Sequence, residues 1–323
     1  MTPPRFLVTT AIPDSGMDLL AQAGEVHVLP DGYSPQQLKE GCASGKYDVV
    51  VAQLRDQFDE DLLSVASIRG ISNYSVGFDN VDVDAATRHG IIVCNTPGVL
   101  TTATADLTML LLLAVARRCV EGDDFLRSGR YRGWKPDLLL GSDVTGATLG
   151  LVGFGRIAQA VARRALAFDM KVLCTTRTPP SAGGPHDGSR LVSFVPWEEL
   201  LGHSDYLSLH VPHTHETHHL VDEQALKLMK PSAYLINTAR GAVVDEQALV
   251  DALKAGSIAG AALDVYEDEP AVAEGLTDLT NTVLLPHLGS ATRTTRSKMA
   301  QVCANNAIAV ANGGVPNHVV NGG

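Results

Sequence analysis

The segment Thr148–Phe168 constrains the fold more strongly than any other part of the chain. It begins with an apolar, strand-like run that ends at Gly153 and continues, after Gly155, into a stretch with helical spacing. In this Gly-x-Gly-x-x-Ala pattern, the first glycine permits a tight turn, the second lets the backbone approach a pyrophosphate, and Ala158 allows close helix–strand packing. The N-terminus of such a helix faces the phosphates. The turn residues of the predicted dinucleotide site are Gly153, Gly155, Arg156 and Ile157.

Short β-branched runs alternate with helical patterns along most of the chain, which predicts parallel sheets covered by helices. A first series ends at the breaker cluster Asn95-Thr96-Pro97-Gly98, and a second, with six candidate strands, begins at Thr148. A final helix near residues 293–312 is expected to return to the first series. We therefore expect an α/β protein with two Rossmann-like domains. A doubly wound dinucleotide-binding domain, residues 99–287, would be inserted into a flavodoxin-like substrate domain formed by residues 1–98 and 288–323.

Composition excludes several classes of partner. The 323 residues carry 25 Lys plus Arg against 36 Asp plus Glu, and the net charge of -11 repels phosphate backbones and anionic membranes. The longest apolar run, Met109–Ala116, is far shorter than the roughly 20 residues of a membrane span. The five scattered cysteines form no Cys-x-x-Cys pair, and the N-terminus lacks the apolar core of a signal peptide. We expect no nucleic-acid or membrane partner and a cytoplasmic location.

The predicted strand that follows the glycine turn ends in Thr176-Arg177-Thr178, where NAD-binding folds usually carry a ribose-binding Asp or Glu. Arg177, helped by Thr176 and Thr178, can instead pair with a 2′-phosphate through charge-assisted hydrogen bonds. The sequence therefore predicts NADP(H) as the preferred cofactor, with NAD(H) also possible. An exposed arginine with loose cofactor use is the alternative.

Arg240, Glu269 and His287 each follow a predicted strand of the second series. Because ligands of open α/β sheets bind beyond the carboxyl ends of the strands, these side chains could converge on one cleft. A guanidinium offers a fork to a carboxylate, and an imidazole can act as general acid or base near neutral pH. A surface arginine, a solvated acid and a structural histidine remain the alternative interpretation.

Five motifs together carry a resemblance over nearly the whole chain: Asn73–Asp82, Gly153–Ala158, Asn237–Val244, Asp264–Pro270 and Pro286–Thr292. With them the chain resembles the D-isomer-specific 2-hydroxyacid dehydrogenase family, especially its glyoxylate/hydroxypyruvate reductase and 2-ketogluconate reductase branches. The resemblance implies an oxidoreductase that reduces small 2-oxo acids to D-2-hydroxy acids by hydride transfer. It also implies a homodimer.

The resemblance implies roles for individual residues. Arg240 would bind the substrate carboxylate and polarise the keto oxygen, His287 would deliver a proton to it, and Glu269 would hold the imidazole in its charged form. The backbone of Val76 and Gly77 would bind the carboxylate. Further pocket positions are Leu54, Arg55, Ser290 and Trp134, the last from a neighbouring subunit or as interface packing. Further cofactor positions are Thr104, His210, Val211, Pro212, Thr217, Thr238, Ala239, Asp264 and Gly289.

Five of the eleven histidines lie in the segment His210–His219. Such density invites a metal interpretation, but no cysteine and no regular ligand spacing supports zinc. We expect an exposed loop without a metal, with modest pH sensitivity near the cofactor as a milder role.

Three alternative functions share the predicted fold. The segment Phe125–Trp134 resembles phosphite dehydrogenases, although Val76 stands where that branch carries a lysine. A formate dehydrogenase would carry glutamine at the position of Glu269. A non-catalytic, dinucleotide-sensing binding protein could retain all three residues of the constellation, and only turnover separates it from an enzyme.

Overall fold

The computed structural model describes residues 3–178 and 191–322. The chain divides into two compact units, the first Met1–Leu100 with Ala291–Gly323 and the second Thr101–Ser290. Leu288 and Gly289, whose N–H groups are bonded to the Asp264 carboxylate, belong to the second unit. The surface loop predicted at Pro179–Ser189 lies outside the described residues.

The first unit contains a five-stranded parallel sheet in the order β2-β1-β3-β4-β5, the flavodoxin-like order. Its strands are β1 (Arg5–Val8), β2 (Glu25–Val28), β3 (Val49–Ala52), β4 (Gly70–Asn73) and β5 (Ile92–Cys94). Its helices are α1 (Asp14–Ala23), α2 (Pro35–Ala43), α3 (Glu60–Leu63), α4 (Val83–Arg88) and the last helix of the chain, α11 (Arg293–Ala311).

Both faces of this sheet are covered, as the continuous apolar run of β3 predicts. Successive side chains of a strand point to opposite faces, so Val49 and Val51 join one core while Val50 joins the other. Helix α11 covers the first of these faces, and the Ser72 hydroxyl donates a 2.8 Å hydrogen bond to the Cys303 carbonyl of that helix. Helix α11 therefore packs on the sheet of the first unit.

The second unit contains a seven-stranded parallel sheet in the order β12-β11-β10-β9-β6-β7-β8. Its strands are β6 (Thr148–Val152), β7 (Lys171–Thr175), β8 (Val192–Phe194), β9 (Tyr206–Leu209), β10 (Tyr234–Asn237), β11 (Gly260–Leu263) and β12 (Thr282–Leu284). Its helices are α5 (Thr101–Ala116), α6 (Cys119–Arg127), α7 (Arg156–Ala167), α8 (Trp197–His203), α9 (Glu223–Leu228) and α10 (Glu246–Ala255), with a 3-10 turn at Gly241–Val243.

This strand order is the doubly wound dinucleotide order with one added strand, and the fold class is confirmed. All six predicted strands are present, and β8 is the one that the sequence did not predict. It is a three-residue edge strand with only one buried residue, Val192, too short to give a periodic signal. The order reverses between β6 and β9, which places the switch-point crevice beyond the carboxyl ends of these two strands.

None of the helices in the described part of the chain combines the length and the apolar character that crossing a membrane requires. All five cysteines are free thiols, and Cys119 alone among them is exposed. Burial raises the pKa of the other four to about 12, so these thiols stay protonated and chemically inert.

Candidate active site

The turn between β6 and α7 has the geometry that a pyrophosphate needs. Gly153 has a φ of +89°, and a Cβ there would lie 2.8 Å from the His210 carbonyl oxygen, so glycine is required. A Cβ on Gly155 would meet nothing within 4 Å, and no side chain caps the helix that begins after it. Ala158, in the first turn of that helix, is fully buried. The first amides of α7, at Arg156 and Ile157, therefore border open space, and the turn fits a dinucleotide.

Arg177 follows β7 and is 83% exposed, and its Nη1 donates a 2.8 Å hydrogen bond to Oε2 of Glu216. Thr176 is half-buried and Thr178 is exposed beside it. The arginine predicted to bind a 2′-phosphate is thus paired with a carboxylate from the histidine-rich loop. No pattern in the sequence indicates Glu216 as the partner, because 39 positions separate it from Arg177.

Side chains of the loop after β9 form hydrogen bonds with the backbone of the same loop. The Thr217 hydroxyl donates to the Pro212 carbonyl over 2.6 Å and accepts the Thr214 N–H over 2.8 Å. At its start, His210 Nε2 lies 2.9 Å from the Ser208 hydroxyl, and burial lowers the pKa of His210 to about 4. His210 is therefore neutral near pH 7. Val211 contacts the turn from the same side, since its Cγ1 would lie 2.9 Å from a Cβ on Gly153.

Arg240 is held in a tight turn after β10. The Asn237 side chain accepts the Ala239 N–H over 3.0 Å and donates to the Arg240 carbonyl over 2.8 Å. A Cβ on Gly241 would lie 1.8 Å from the Tyr266 carbonyl carbon, so the Arg240 turn packs against the loop after β11 with no room for a side chain. Beside it, the Thr238 hydroxyl lies 2.9 Å from that of Thr108 on α5.

Asp264, at the end of β11, is 1% exposed and organises the loop after β12. Its two oxygens accept the N–H groups of Leu288, over 2.6 Å, and Gly289, over 2.7 Å. Burial raises the pKa of Asp264, and these two amides oppose the rise. The Thr104 hydroxyl adds a 3.1 Å hydrogen bond to the Gly289 carbonyl. Three of the predicted cofactor residues, Thr104, Asp264 and Gly289, are therefore joined in one network.

His287 lies immediately before this network and pairs with Glu269. Its Nδ1 is 2.9 Å from Glu269 Oε2, while Glu269 Oε1 accepts the Tyr266 N–H over 3.1 Å. Burial raises the pKa of Glu269, but the hydrogen bond and charge of His287, with Arg240 adding to them, hold that pKa below its usual value. An ionised carboxylate only accepts hydrogen bonds, so Nδ1 carries a proton. The pairing leaves Nε2 as the ring nitrogen that Glu269 does not engage.

In the first unit, the loop after β4 is fastened to the loop after β3. The Asn73 amide donates to the Gly77 carbonyl over 3.0 Å and to Asn80 Oδ1 over 2.8 Å, and Asn80 donates to the carbonyls of Gln53 and Asp56. The carbonyl of Val76 accepts from the Asn95 amide over 2.7 Å. Within the described residues, no acceptor takes the N–H groups of Val76 and Gly77. The backbone N–H groups of Val76 and Gly77 are thus held in place and can each donate a hydrogen bond to a ligand.

The predicted pocket positions differ in how firmly they are held. Arg55 donates from Nη2 to the Thr10 hydroxyl over 2.7 Å, and its guanidinium carbon lies 5.0 Å from the centre of the Tyr33 ring. Leu54 and Ser290 are half-buried. Trp134 is 79% exposed. Arg55 is therefore oriented by its own unit, whereas Trp134 presents its ring outward.

A dinucleotide turn, with an arginine and a histidine–glutamate pair on neighbouring strand ends, defines a class: the nicotinamide-dependent oxidoreductases. The model for the D-isomer specific 2-hydroxyacid dehydrogenase NAD-binding domain matches residues 109–289. The chain belongs to this family. It is an oxidoreductase that uses a nicotinamide dinucleotide as its cofactor.

Individual relatives cover almost the whole chain. It is 48% identical to a glyoxylate reductase of Thermococcus litoralis, over 98% of this chain and 97% of that protein. Among solved structures, it resembles a glyoxylate reductase from Paecilomyes thermophila at 32% identity, with a TM-score of 0.88 and 99% of each chain covered. An NADPH-dependent glyoxylate/hydroxypyruvate reductase from Sinorhizobium meliloti, solved with NADP and malonate, is 34% identical with a TM-score of 0.88, over 99% of this chain and 97% of that one.

Proposed function

We propose that the protein reduces small 2-oxo acids, glyoxylate and hydroxypyruvate first among them and 2-ketogluconate as a longer candidate, to D-2-hydroxy acids. The observation that carries this proposal is the His287–Glu269 pair beside Arg240, on strand ends next to a dinucleotide turn. Relatives named glyoxylate reductase, and a structural neighbour named glyoxylate/hydroxypyruvate reductase, support the substrate class.

In the proposed reaction, a bound nicotinamide supplies the hydride to the keto carbon. The Arg240 guanidinium binds the substrate carboxylate as a fork and polarises the keto oxygen. The proton that reaches this oxygen comes from Nε2 of His287, while Nδ1 stays bonded to Glu269. Ionised Glu269 stabilises the protonated imidazole before the transfer. In the direction of oxidation, the same nitrogen takes the proton back.

The first unit supplies the substrate side of the proposal. The free N–H groups of Val76 and Gly77 are held in place by the Asn73–Asn80 clamp and suit a carboxylate. Arg55 is oriented by the Thr10 hydroxyl and the Tyr33 ring, and its guanidinium suits a substrate with a second polar group, such as hydroxypyruvate. Leu54 and Ser290 would limit the length of the substrate.

We propose NADP(H) as the preferred cofactor, with NAD(H) also used. Arg177 stands where a ribose-binding acid is expected, and Thr176 and Thr178 add two hydroxyl donors. The preference should be modest, because the 2′-phosphate has to displace Glu216 from the arginine. The other residues that we propose contact the cofactor are Thr104, His210, Val211, Pro212, Thr217, Thr238, Ala239, Asp264 and Gly289.

We further propose a homodimer in the cytoplasm, in which Trp134 reaches the site of a second copy. Helix α6 and the segment after it expose large apolar side chains that a partner would cover. These are Leu126, Tyr131, Trp134 and Leu140, each at least 45% exposed. The free, mostly buried thiols are consistent with a reducing compartment.

The test is a substrate panel of glyoxylate, hydroxypyruvate, 2-ketogluconate and phenylpyruvate, each with NADPH and with NADH. We expect the highest kcat/KM with hydroxypyruvate or glyoxylate and NADPH, and chiral analysis of the product should give the D-isomer. Phosphite oxidation without 2-oxo acid reduction would identify the phosphite-dehydrogenase alternative. Dinucleotide binding without turnover of any substrate would identify the non-catalytic alternative.

A further inference from the structure

The histidine-rich loop meets the loop after β11 in a cluster that the proposed reaction does not use. One ligand atom each from His218, His219 and Glu267 lies within 4.8 Å of the other two. Nε2 of His219 is 2.5 Å from Oε1 of Glu267, and the His218 ring stacks on the His219 ring with centroids 4.0 Å apart. Nε2 of His213 approaches Nδ1 of His218 to 3.3 Å. Two imidazoles and a carboxylate thus converge from two separate loops, and a third imidazole, that of His213, lies beside His218.

Backbone contacts fix two of these groups in place. His219 has a φ of 49°, in the left-handed region, and its N–H donates a 2.9 Å hydrogen bond to the Ala242 carbonyl. The Glu267 N–H donates a 2.6 Å hydrogen bond to Glu246, whose carboxylate is 4% exposed and also accepts the Ala273 N–H. A buried carboxylate that fastens the loop backbone leaves the Glu267 side chain free to face the histidines.

We propose that His218, His219 and Glu267 bind one divalent transition-metal ion of the zinc class, with a water molecule as the fourth ligand. Imidazole nitrogen and carboxylate oxygen are ligands that zinc, nickel and copper accept. Zinc–nitrogen bonds of about 2.0–2.1 Å place two ligands of a tetrahedron roughly 3.3–3.4 Å apart. The His219–Glu267 pair, with its atoms 2.5 Å apart, therefore opens by somewhat under 1 Å to admit the ion.

The electrostatics and the access route favour a cation at this place. Glu267 is followed by Asp268 and Glu269, in a chain with a net charge of -11. His218 is exposed while His219 and Glu267 are half-buried, so the ion enters from solvent and is held on its inner side. The bound ion would fasten the loop that contains Thr217 to the loop that carries Glu269. Because Glu269 is bonded to His287, it stays outside the ligand set.

The experiment uses full-length protein without an affinity tag, stripped of metal by a chelator and titrated with Zn²⁺ against a chromophoric competitor. We expect one equivalent to bind with a dissociation constant in the micromolar range or below, and the thermal midpoint to rise with free Zn²⁺ as binding to the native state requires. Co²⁺ in place of Zn²⁺ should give visible absorption bands of a tetrahedral, nitrogen–oxygen site. Failure to bind either ion would overturn the proposal.

Variants locate the site. His218→Ala removes an exposed ring, so this variant should fold, and it should weaken Zn²⁺ binding at least 100-fold. Glu267→Gln should do the same. The matched controls are His215→Ala in the same loop and His203→Ala on α8, which should bind Zn²⁺ like the unaltered protein. Binding that survives His218→Ala, or that His215→Ala weakens equally, would overturn the proposed ligand set. Activity is not the readout, so this test is independent of the substrate panel.

Discussion

The second unit holds two histidine–glutamate pairs that look alike in isolation. His287 pairs with Glu269 over 2.9 Å and His219 pairs with Glu267 over 2.5 Å, so both acids come from the same loop after β11. Both histidines have left-handed backbone conformations, with φ values of 54° and 49°. Both pairs are also about one-third exposed. Distance, residue type and exposure therefore do not separate a proton-transfer pair from a structural one.

The neighbours of the two pairs are what differ. Arg240 lies close enough to Glu269 to lower its pKa, and Asp264 holds the two residues that follow His287. The other pair has histidines around it, with His218 stacked on His219. The His287–Glu269 pair lies beside an arginine, which suits a carboxylate substrate. The His219–Glu267 pair lies beside further imidazoles, which suit a metal ion. The proposed roles of the two pairs follow from these neighbouring residues.

The largest expected effect is that of removing the imidazole of His287. His287→Asn should lower kcat for 2-oxo acid reduction by about 10²–10⁴, the usual contribution of a positioned general acid. The matched variant His219→Asn should stay within a few-fold of the unaltered protein. Steady-state kinetics give both values, and titration of NADPH fluorescence checks that cofactor binding survives. Equal losses in the two variants would remove the proposed distinction between the pairs.

Arg240 lies close to the His287–Glu269 pair and is the residue proposed to bind the substrate carboxylate. Arg240→Lys keeps the positive charge but loses the planar fork, so kcat/KM for the 2-oxo acid should fall by about 10²–10³, as when one donor to a developing oxyanion is lost. The dissociation constant of NADPH should change far less. A loss confined to NADPH affinity would contradict the proposed contact with the substrate.

Glu269→Gln tests whether the carboxylate acts through the imidazole. A hydrogen bond to a charged group contributes about 1.5–3 kcal/mol, so kcat should fall by roughly tenfold to 100-fold. The pKa of Glu269 is lowered, so this acid is ionised at neutral pH and favours the protonated imidazole. Its loss should therefore lower kcat for reduction at neutral pH, where the carboxylate is ionised. Glu267→Gln should leave kcat within a few-fold of the unaltered protein, and equal losses in both variants would contradict the assignment.

How much of this site can be predicted from the sequence depends on how many positions separate the contacting residues. The glycine turn is local, so Gly153 and Gly155 could be identified from adjacent residues, and the strand-end positions of Arg240 and His287 follow from the parallel sheet. The clamp of Asp264 on Leu288 and Gly289 joins residues 24 and 25 positions apart, and no pattern in the chain indicates it.

The histidine-rich loop shows the same limit more sharply. Irregular spacing within residues 210–219 gave no ligand set, because Glu267 comes from another loop 48 positions further along. The short edge strand β8 escaped prediction for a different reason, since a strand of three residues carries too little alternation. Sequence patterns therefore predict the elements and the residues at their ends, while contacts between loops require the folded chain.

Asp264→Asn sharpens the comparison by loosening only the loop that follows His287. An amide side chain offers one acceptor oxygen, so either the Leu288 or the Gly289 N–H loses its partner at a cost of about 1–3 kcal/mol. We expect a lower denaturation midpoint and a several-fold loss of kcat, with the Zn²⁺ affinity of the other cluster unchanged. A loss of NADPH binding without any loss of stability would instead assign Asp264 to the cofactor alone.

The smallest expected effect concerns Glu216, whose exposed pair with Arg177 competes with a 2′-phosphate. Exposed ion pairs contribute only about 0.2–1 kcal/mol, so Glu216→Gln should raise kcat/KM for NADPH up to about fivefold. The value for NADH should hardly change, because NADH has no phosphate to place on the arginine. Glu223→Gln, which breaks the exposed Glu223–Lys227 pair on α9, is the matched control.

Arg177→Ala should lower kcat/KM for NADPH selectively. If Arg177→Ala reduced both cofactors equally, Arg177 would not be the 2′-phosphate ligand, and the histidine-rich loop would influence the cofactor only through its shape.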